Sequence, residues 1–322
     1  MRRLSETTSA NYSHNVNLPY LHRSTPTLPP LSDAERELAA ALKRDVETLA
    51  LDIGPRGTFA PGRYRLAEDF LTSALTRAGY EVKRHAFEAF DVECANLEAI
   101  LPGRESPERV LILGAHYDSI EGCPAANDNA SGVAGVLAAA RAMAADKPAC
   151  TVRFVLFANE EPPHFNMDTM GSQIYARRCQ LDRHHLRMVC LETIGCYSKM
   201  KGSQRWPIQA LDMLLPDIGD FIALVGITES QRFIKAASQA FEKQKSFPML
   251  AAAAPASTNY LSASDHRGFN ESGYEAFMIT DTAPFRYPHY HEPTDTPDKL
   301  DFESMARVVR GVIGMVRELA SH

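Results

Sequence analysis

No stretch of this 322-residue chain holds the roughly 18 consecutive apolar residues that a membrane-spanning helix needs. The apolar run Met249 to Pro255 is far too short for one. Blocks of like charge are also missing: 34 basic and 40 acidic residues are interleaved, for a net charge of −6. Neither nucleic acid nor an anionic membrane is therefore an expected partner. The six cysteines (Cys94, Cys123, Cys150, Cys179, Cys190 and Cys196) include no C-x-x-C pair, so a thiolate zinc site and a thioredoxin-type motif are both unexpected. A chain of this length does not depend on disulfides. The N-terminus, Met1-Arg2-Arg3-Leu4-Ser5-Glu6, has the positive start of a signal peptide but no apolar stretch after it, so a soluble, cytoplasmic protein is expected.

The chain is 45% apolar and 23% charged, ordinary globular composition and enough to bury one large core. Residues 1–30 are rich in Ser, Thr, Asn, Pro and His without a period, which predicts an extended arm packed on the body or on a partner subunit, with a possible homodimer. Residues 31–322 are expected to form a single catalytic domain. Ser32, followed by Asp33 and Glu35, opens a helix, and a second amphipathic helix is predicted over 63–78. The texture then becomes strand, turn, strand, helix. Strands are predicted over 80–87, 94–101, 109–114, 151–158, 186–192, 221–225 and 276–280. Helices are predicted over 131–145, 171–178, 230–243 and 304–320. This alternation points to a three-layer α/β/α sandwich around a mostly parallel mixed sheet.

Such sheets carry their chemistry just past the carboxyl ends of strands, and here four apolar runs deliver reactive side chains at those points. Val110 to Gly114 leads to His116 and Asp118, Phe154 to Ala158 to Glu160 and Glu161, Met188 to Leu191 to Glu192, and Phe277 to Thr280 to Asp281, His289, Tyr290 and His291. Carboxylates crowded at one edge would repel one another, and a divalent cation stabilises such a cluster. Imidazole and carboxylate without thiolate suits zinc, with manganese or cobalt as substitutes. Taken singly, His116 reads as well as a satisfied buried histidine, and Asp128 as a turn or helix-capping residue. Asp265 and His266 either line a substrate pocket or cap a helix. His164, His184, His185 and His289 are assigned no metal.

Together the motifs are more specific. His116-Tyr117-Asp118-Ser119, Ala126-Asn127-Asp128-Asn129-Ala130-Ser131-Gly132, Asn159-Glu160-Glu161, Glu192-Thr193-Ile194-Gly195, Ser264-Asp265-His266 and Tyr290-His291-Glu292-Pro293-Thr294-Asp295-Thr296 follow one another in order. From about residue 80 to the end, the pattern resembles the two-zinc aminopeptidases, a family that also includes glutaminyl cyclases and glutamate carboxypeptidase II. The resemblance implies that His116 and Glu192 hold one zinc and His291 and Glu161 a second, with Asp128 bridging them. It implies that Asp118 supports His116, that Glu160 is the general base, and that Tyr290 donates to the oxyanion. The family's aminopeptidases commonly carry Asp where this chain has Glu192.

The activity implied is zinc-dependent hydrolysis of a peptide bond by a water shared between two ions, at the free N-terminus of a peptide or aminoacyl substrate. Two other readings stay open on the same scaffold: acyl transfer of the glutaminyl cyclase type with one zinc, and a metal-free interaction module. Residues 199–227 match no pattern and are expected to contribute to a specificity pocket.

Overall fold

The computed structural model describes residues 18–182, 185–207, 209–258 and 260–321. Residues 1–17 of the expected arm, and His184, lie outside the described residues. The strands, in chain order, are β1 (Tyr20–Ser24), β2 (Val82–Ala89), β3 (Val92–Leu101), β4 (Ser106–His116), β5 (Cys150–Phe157), β6 (His185–Glu192), β7 (Ile222–Ile227), β8 (Met249–Ala254) and β9 (Glu275–Thr280). The α-helices are α1 (Asp33–Glu47), α2 (Pro61–Arg77), α3 (Gly132–Met143), α4 (Gly171–Asp182), α5 (Gln209–Asp212), α6 (Gln231–Lys243), α7 (His266–Glu271), α8 (Ala283–Arg286) and α9 (Phe302–Leu319).

Local chemistry explains the boundaries. Ser32 accepts from the Glu35 backbone while the Glu35 side chain accepts from the Ser32 backbone, a reciprocal capping box that starts α1. Asp301 does the same work for α9 by accepting from Ser304 N. At the head of α3 the small side chains let the helix lie against the sheet. A Cβ on Gly132 would stand 2.5 Å from the Leu191 carbonyl oxygen, so only glycine brings this turn so close to the end of β6.

All nine strands form one sheet in the order β1-β8-β7-β9-β6-β4-β5-β3-β2. The central strands β5, β4, β6 and β9 are mutually parallel. β7 and β8 run parallel to each other and antiparallel to β9, and β1, β3 and β2 add by antiparallel pairing. One apolar core joins α1, α2, α3, α6 and α9 to one face, and a smaller one joins α4 and α7 to the other. That is the α/β/α sandwich, and its parallel centre sends four strand ends to one edge.

Five elements were not foreseen: β1, β8, α7 and the four-residue α5 and α8. β8 is Met-Leu-Ala-Ala-Ala-Ala, a composition with little intrinsic strand preference. It is a strand because β7 and β1 satisfy its backbone on both sides. β1 lies within the compositional arm, so the folded body begins ahead of residue 30: Tyr20 to Ser24 close the edge that β8 would otherwise expose. The short α7 follows a Ser-rich loop and carries no helical period to detect.

Candidate metal centre

The strand ends converge. His116, the last residue of β4, places Nε2 3.2 Å from Asp128 Oδ1 and 3.3 Å from Glu192 Oε2, at the end of β6. On the other side, His291 Nε2 lies 3.1 Å from Asp128 Oδ2 and 3.4 Å from Glu161 Oε2. The five residues thus form two triads, each with its ligand atoms within 4.8 Å of one another, and Asp128 turns one oxygen to each. Glu160 belongs to neither triad; its Oε2 is 3.9 Å from His116 Nε2. Tyr290 stacks on His291, with ring centroids 3.9 Å apart.

Asp118 orders both sides of this arrangement. Its Oδ1 lies 3.3 Å from His116 Nδ1 and also accepts the Glu160 N–H, while Oδ2 accepts the Glu161 N–H, each at 3.0 Å. Asn159 before them is left-handed (φ 59), which turns the chain so that the two adjacent glutamates diverge. Ala125, Thr193, Thr282 and His291 also take positive φ near the site. Strained backbone of this kind, about 1–3 kcal/mol per residue, clusters where geometry matters more than stability.

The residues fit divalent cations. Both ring nitrogens of His116 and Oε1 of Glu161 are buried without a hydrogen-bond partner, a costly state unless something else satisfies them. Burial, reinforced by the neighbouring carboxylates, raises Glu160, Glu161 and Glu192 above the usual carboxylate range. A cation in each triad would satisfy His116 Nε2 and the Glu161 carboxylate and offset the repulsion, while His116 Nδ1 faces Asp118. Imidazole with carboxylate is a zinc-type donor set.

Supporting residues that carried no assigned role now have one. Ser264 Oγ donates to Glu192 Oε2 at 2.5 Å. Asp295 accepts from the backbone of Asn127 (2.9 Å) and Asp128 (3.1 Å) and from the Tyr287 hydroxyl (2.7 Å), holding the bridging residue in place. Arg56 is fully buried and donates to the carbonyls of Leu49, Gly54, Tyr117, Pro124 and Ala125, tying the loop after His116 to the one before Asp128. Ser264 and Asp295 stand inside quoted motifs and could have been weighed; a lone Arg between two glycine-bearing turns gives no such signal. Asp265 is buried at the start of α7, but neither oxygen finds a partner and it makes no capping bond. Neither it nor His266 is on the cavity wall, which corrects both expectations for this pair. His289 turns away, paired with Thr294 Oγ1 at 2.8 Å.

A cavity of about 520 Å³ opens directly from Glu160, Glu161, Glu192, Tyr290 and His291. Residues 199–227 supply Trp206, Leu211 and Leu215 to its wall.

The model of the family described as Peptidase family M28 matches residues 96–316, well over half of the chain. The chain belongs to peptidase family M28. The uncharacterized protein YfbL of Escherichia coli is 33% identical over 283 residues, 85% of this M28 peptidase and 86% of that protein. Leucine aminopeptidase 1 of Arthroderma otae is 28% identical over 268 residues, 77% of this chain and 64% of the relative. A probable zinc metalloprotease of Pyricularia oryzae is 27% identical over 273 residues, 72% of this chain, which spans only 51% of that relative. Among solved structures, a zinc aminopeptidase from Bacillus subtilis superposes with a TM-score of 0.70 at 14% identity, covering 88% of this chain and 95% of its own. A glutaminyl cyclase from Porphyromonas gingivalis gives 0.66 at 20%, covering 89% and 100%; at such identities both speak for the fold alone. As a member of M28 the protein is a metallopeptidase. Arg56 lies outside the matched span, so the M28 peptidase braces its site with a residue from before the family core. Among the described residues no helix is long and apolar enough to cross a membrane.

Proposed function

We propose that the protein is a zinc-dependent aminopeptidase holding two ions, one among His116, Asp128 and Glu192 and the other among His291, Glu161 and Asp128. The observation that supports this most is Asp128, whose two oxygens face two different imidazoles at 3.2 and 3.1 Å, each with a further carboxylate beside it. Ions bound there act as Lewis acids toward a peptide carbonyl and lower the pKa of water.

The chain's own residues supply the rest. Glu160 faces the cluster without completing either triad, so its carboxylate is free to take a proton from the attacking water and pass it to the leaving amine. Asp118 aims it through the two backbone N–H groups it accepts. Burial, together with Asp128 and Glu192, pushes the Tyr290 phenol above its ordinary pKa, so it stays protonated as a donor to the oxyanion. Glu160 and Glu192 line the cavity beside the ion sites, and a carboxylate oxygen there can accept from an α-ammonium group, hence a peptide or aminoacyl compound with a free N-terminus. Among the described residues no disulfide joins the cysteines, which suits the reducing cytoplasm.

Metal analysis of unchelated protein by mass spectrometry, paired with hydrolysis of aminoacyl p-nitroanilides, tests the reading. About two zincs per chain are expected, with activity lost on chelation. Glu160→Gln should keep the zinc and lower kcat about 10²–10⁴-fold. One zinc, with cyclisation of N-terminal glutamine instead of hydrolysis, would replace this reading with the acyl-transfer one. No zinc even after it is added back would overturn it.

A further inference from the structure

The cavity beside the metal centre has two chemically different ends. Among the described residues, its charged side chains are Glu160, Glu161, Glu192 and His291, all at the end where the ligands meet. Away from them the wall is largely apolar. Side chains alternate along a strand, so Leu250, Ala252 and Ala254 of β8 face the cavity with Val225 of β7 and Met278 of β9. Their neighbours Met249, Ala251 and Ala253 belong to the core on the other face of the sheet.

Several polar side chains of the wall are already committed inside the protein. The Trp206 indole N–H donates to the Pro216 carbonyl at 2.9 Å. Thr193 and Thr280 pair hydroxyl to hydroxyl at 3.1 Å, and Thr282 donates to the Gln204 side chain at 3.1 Å. A polar substituent entering there would give up water without gaining these groups as partners, which is costly. A hydrocarbon has no such partners to lose. Size points the same way: 520 Å³ is a volume that encloses a drug-sized molecule. A single amino-acid side chain would leave much of the wall without contacts. Apolar surface also continues outward. Met213 and Leu214, between the wall residues Leu211 and Leu215, are 85% and 72% exposed, and Tyr260, itself on the wall, is 51% exposed.

We propose that the protein has a second activity at the same centre: hydrolysis of N-acyl amides whose acyl group is an unbranched hydrocarbon chain of medium length, with that chain lying in the cavity. The proposal rests on the two-ion hydrolase reading but not on recognition of a free N-terminus. Water adds to the acyl carbonyl and the C–N bond breaks. Glu160 carries the proton from the water to the leaving nitrogen, and the products are a carboxylate and an amine. Such a substrate differs from an aminoacyl amide in lacking the α-ammonium group and in having a longer chain on the carbonyl carbon. Each methylene that the wall buries improves binding by about fourfold, and Ala252 and Ala254 leave room on the floor for more of them.

The test compares kcat/KM of the zinc-loaded protein for the p-nitroanilides of acetic, butyric, hexanoic and octanoic acids, with leucine p-nitroanilide alongside. Octanoyl is expected to exceed butyryl by about 100-fold or more. Ala252→Leu should lower that ratio by at least about 10-fold, and Ala254→Leu serves if the first variant fails to fold by circular dichroism. Calorimetry supplies a readout without turnover: octanohydroxamate should bind at least about 100-fold tighter than acetohydroxamate. A series that does not rise with chain length while the leucine compound is hydrolysed overturns the proposal and leaves the aminopeptidase reading standing. A rising acyl series without hydrolysis of the leucine compound does the reverse. Hydrolysis of neither overturns both, and equal hydroxamate binding, or a ratio unmoved in the folded variants, overturns the proposal.

Discussion

The two halves of the metal centre are built to different standards. His116 ends a central strand with a side chain 1% exposed, and its companion Glu192 ends the neighbouring strand under a 2.5 Å bond from Ser264. His291 lies on a loop beyond the short α8, in a left-handed backbone conformation, with a side chain 30% exposed and stacked on Tyr290. Asp128 and Asp118 serve both, one through its two oxygens and the other through the backbone of the paired glutamates. One triad is therefore part of the sheet's rigid edge, while the other depends on a loop that borders the substrate cavity. A hydrolase needs its water-activating geometry fixed and its substrate side accessible, and this asymmetry provides both.

The most damaging way to break the contrast is at Arg56. Its guanidinium serves five buried carbonyls under the His116 half. Arg56→Met would leave those carbonyls unsatisfied, and a loss of about 3–5 kcal/mol in urea unfolding of the metal-free protein is expected. Arg56→Lys, with fewer and differently directed donors, should recover part of it. A loss under about 1 kcal/mol would mean that the loops hold themselves.

Acid gives the next effect. His266, on α7, is fully buried with its Nε2 2.7 Å from the Leu261 carbonyl oxygen, and burial pulls its pKa down to about 4 from the ordinary 6.5. Between those values the unfolded chain takes up a proton that the folded chain refuses, so this contribution is complete above 6.5 and is lost as pH falls toward 4. Asp265 and Asp295, raised to about 7 and about 6, bind protons early in the folded state and tilt stability the other way. The clean observable is thus the difference between the parent and His266→Gln in metal-free protein. It should favour the parent by about 3 kcal/mol more at pH 7 than at pH 4. A difference independent of pH would show that the imidazole titrates normally.

Legibility in the sequence follows the same division. The ligands of the buried half sit at the ends of apolar strands, where period and position mark them, and the fold was readable because those strands alternate with amphipathic helices. His291 could be preferred to His289 only through the resemblance of its flanking Tyr290 and Asp295-Thr296. What stayed hidden depends on tertiary context. An alanine run became β8 because its neighbours left no other partner for its backbone. Polar Tyr20–Ser24 became a strand for the matching reason, and the left-handed Asn159 and Thr193 carry no glycine to announce them. Arg56 is silent because its partners are backbone carbonyls, which every sequence has. The cavity is silent because its wall is assembled from strand ends and loops far apart in the chain.

Ser264 sharpens the comparison at the level of one hydrogen bond. Ser264→Ala frees Glu192 Oε2 from its only donor at 2.5 Å, leaving Asn129 Nδ2 at 3.5 Å. Support of this kind is typically worth 10–100-fold in metal affinity. In a chelator competition the parent should release zinc in two phases, the His291 side first; in the variant the slower phase should quicken toward the faster. A single phase in the parent would erase the distinction between the halves.

The smallest effect comes from the residue that most resembles a missed ligand. His289 is two positions from His291 on the same loop, yet its Nδ1 pairs with Thr294 and its ring packs edge-on to Tyr287 at 5.3 Å. Those contacts shape the outside of the loop and touch no triad residue directly; the link to Asp128 passes through Tyr287 and Asp295. His289→Ala should leave zinc stoichiometry unchanged and move kcat/KM by no more than about twofold, the scale of an ordinary surface substitution. Loss of one zinc would instead place His289 in the exposed triad. The loop would then swing on binding, and the half-exposed site would be one that assembles around its ion, unlike its buried counterpart at the end of β4.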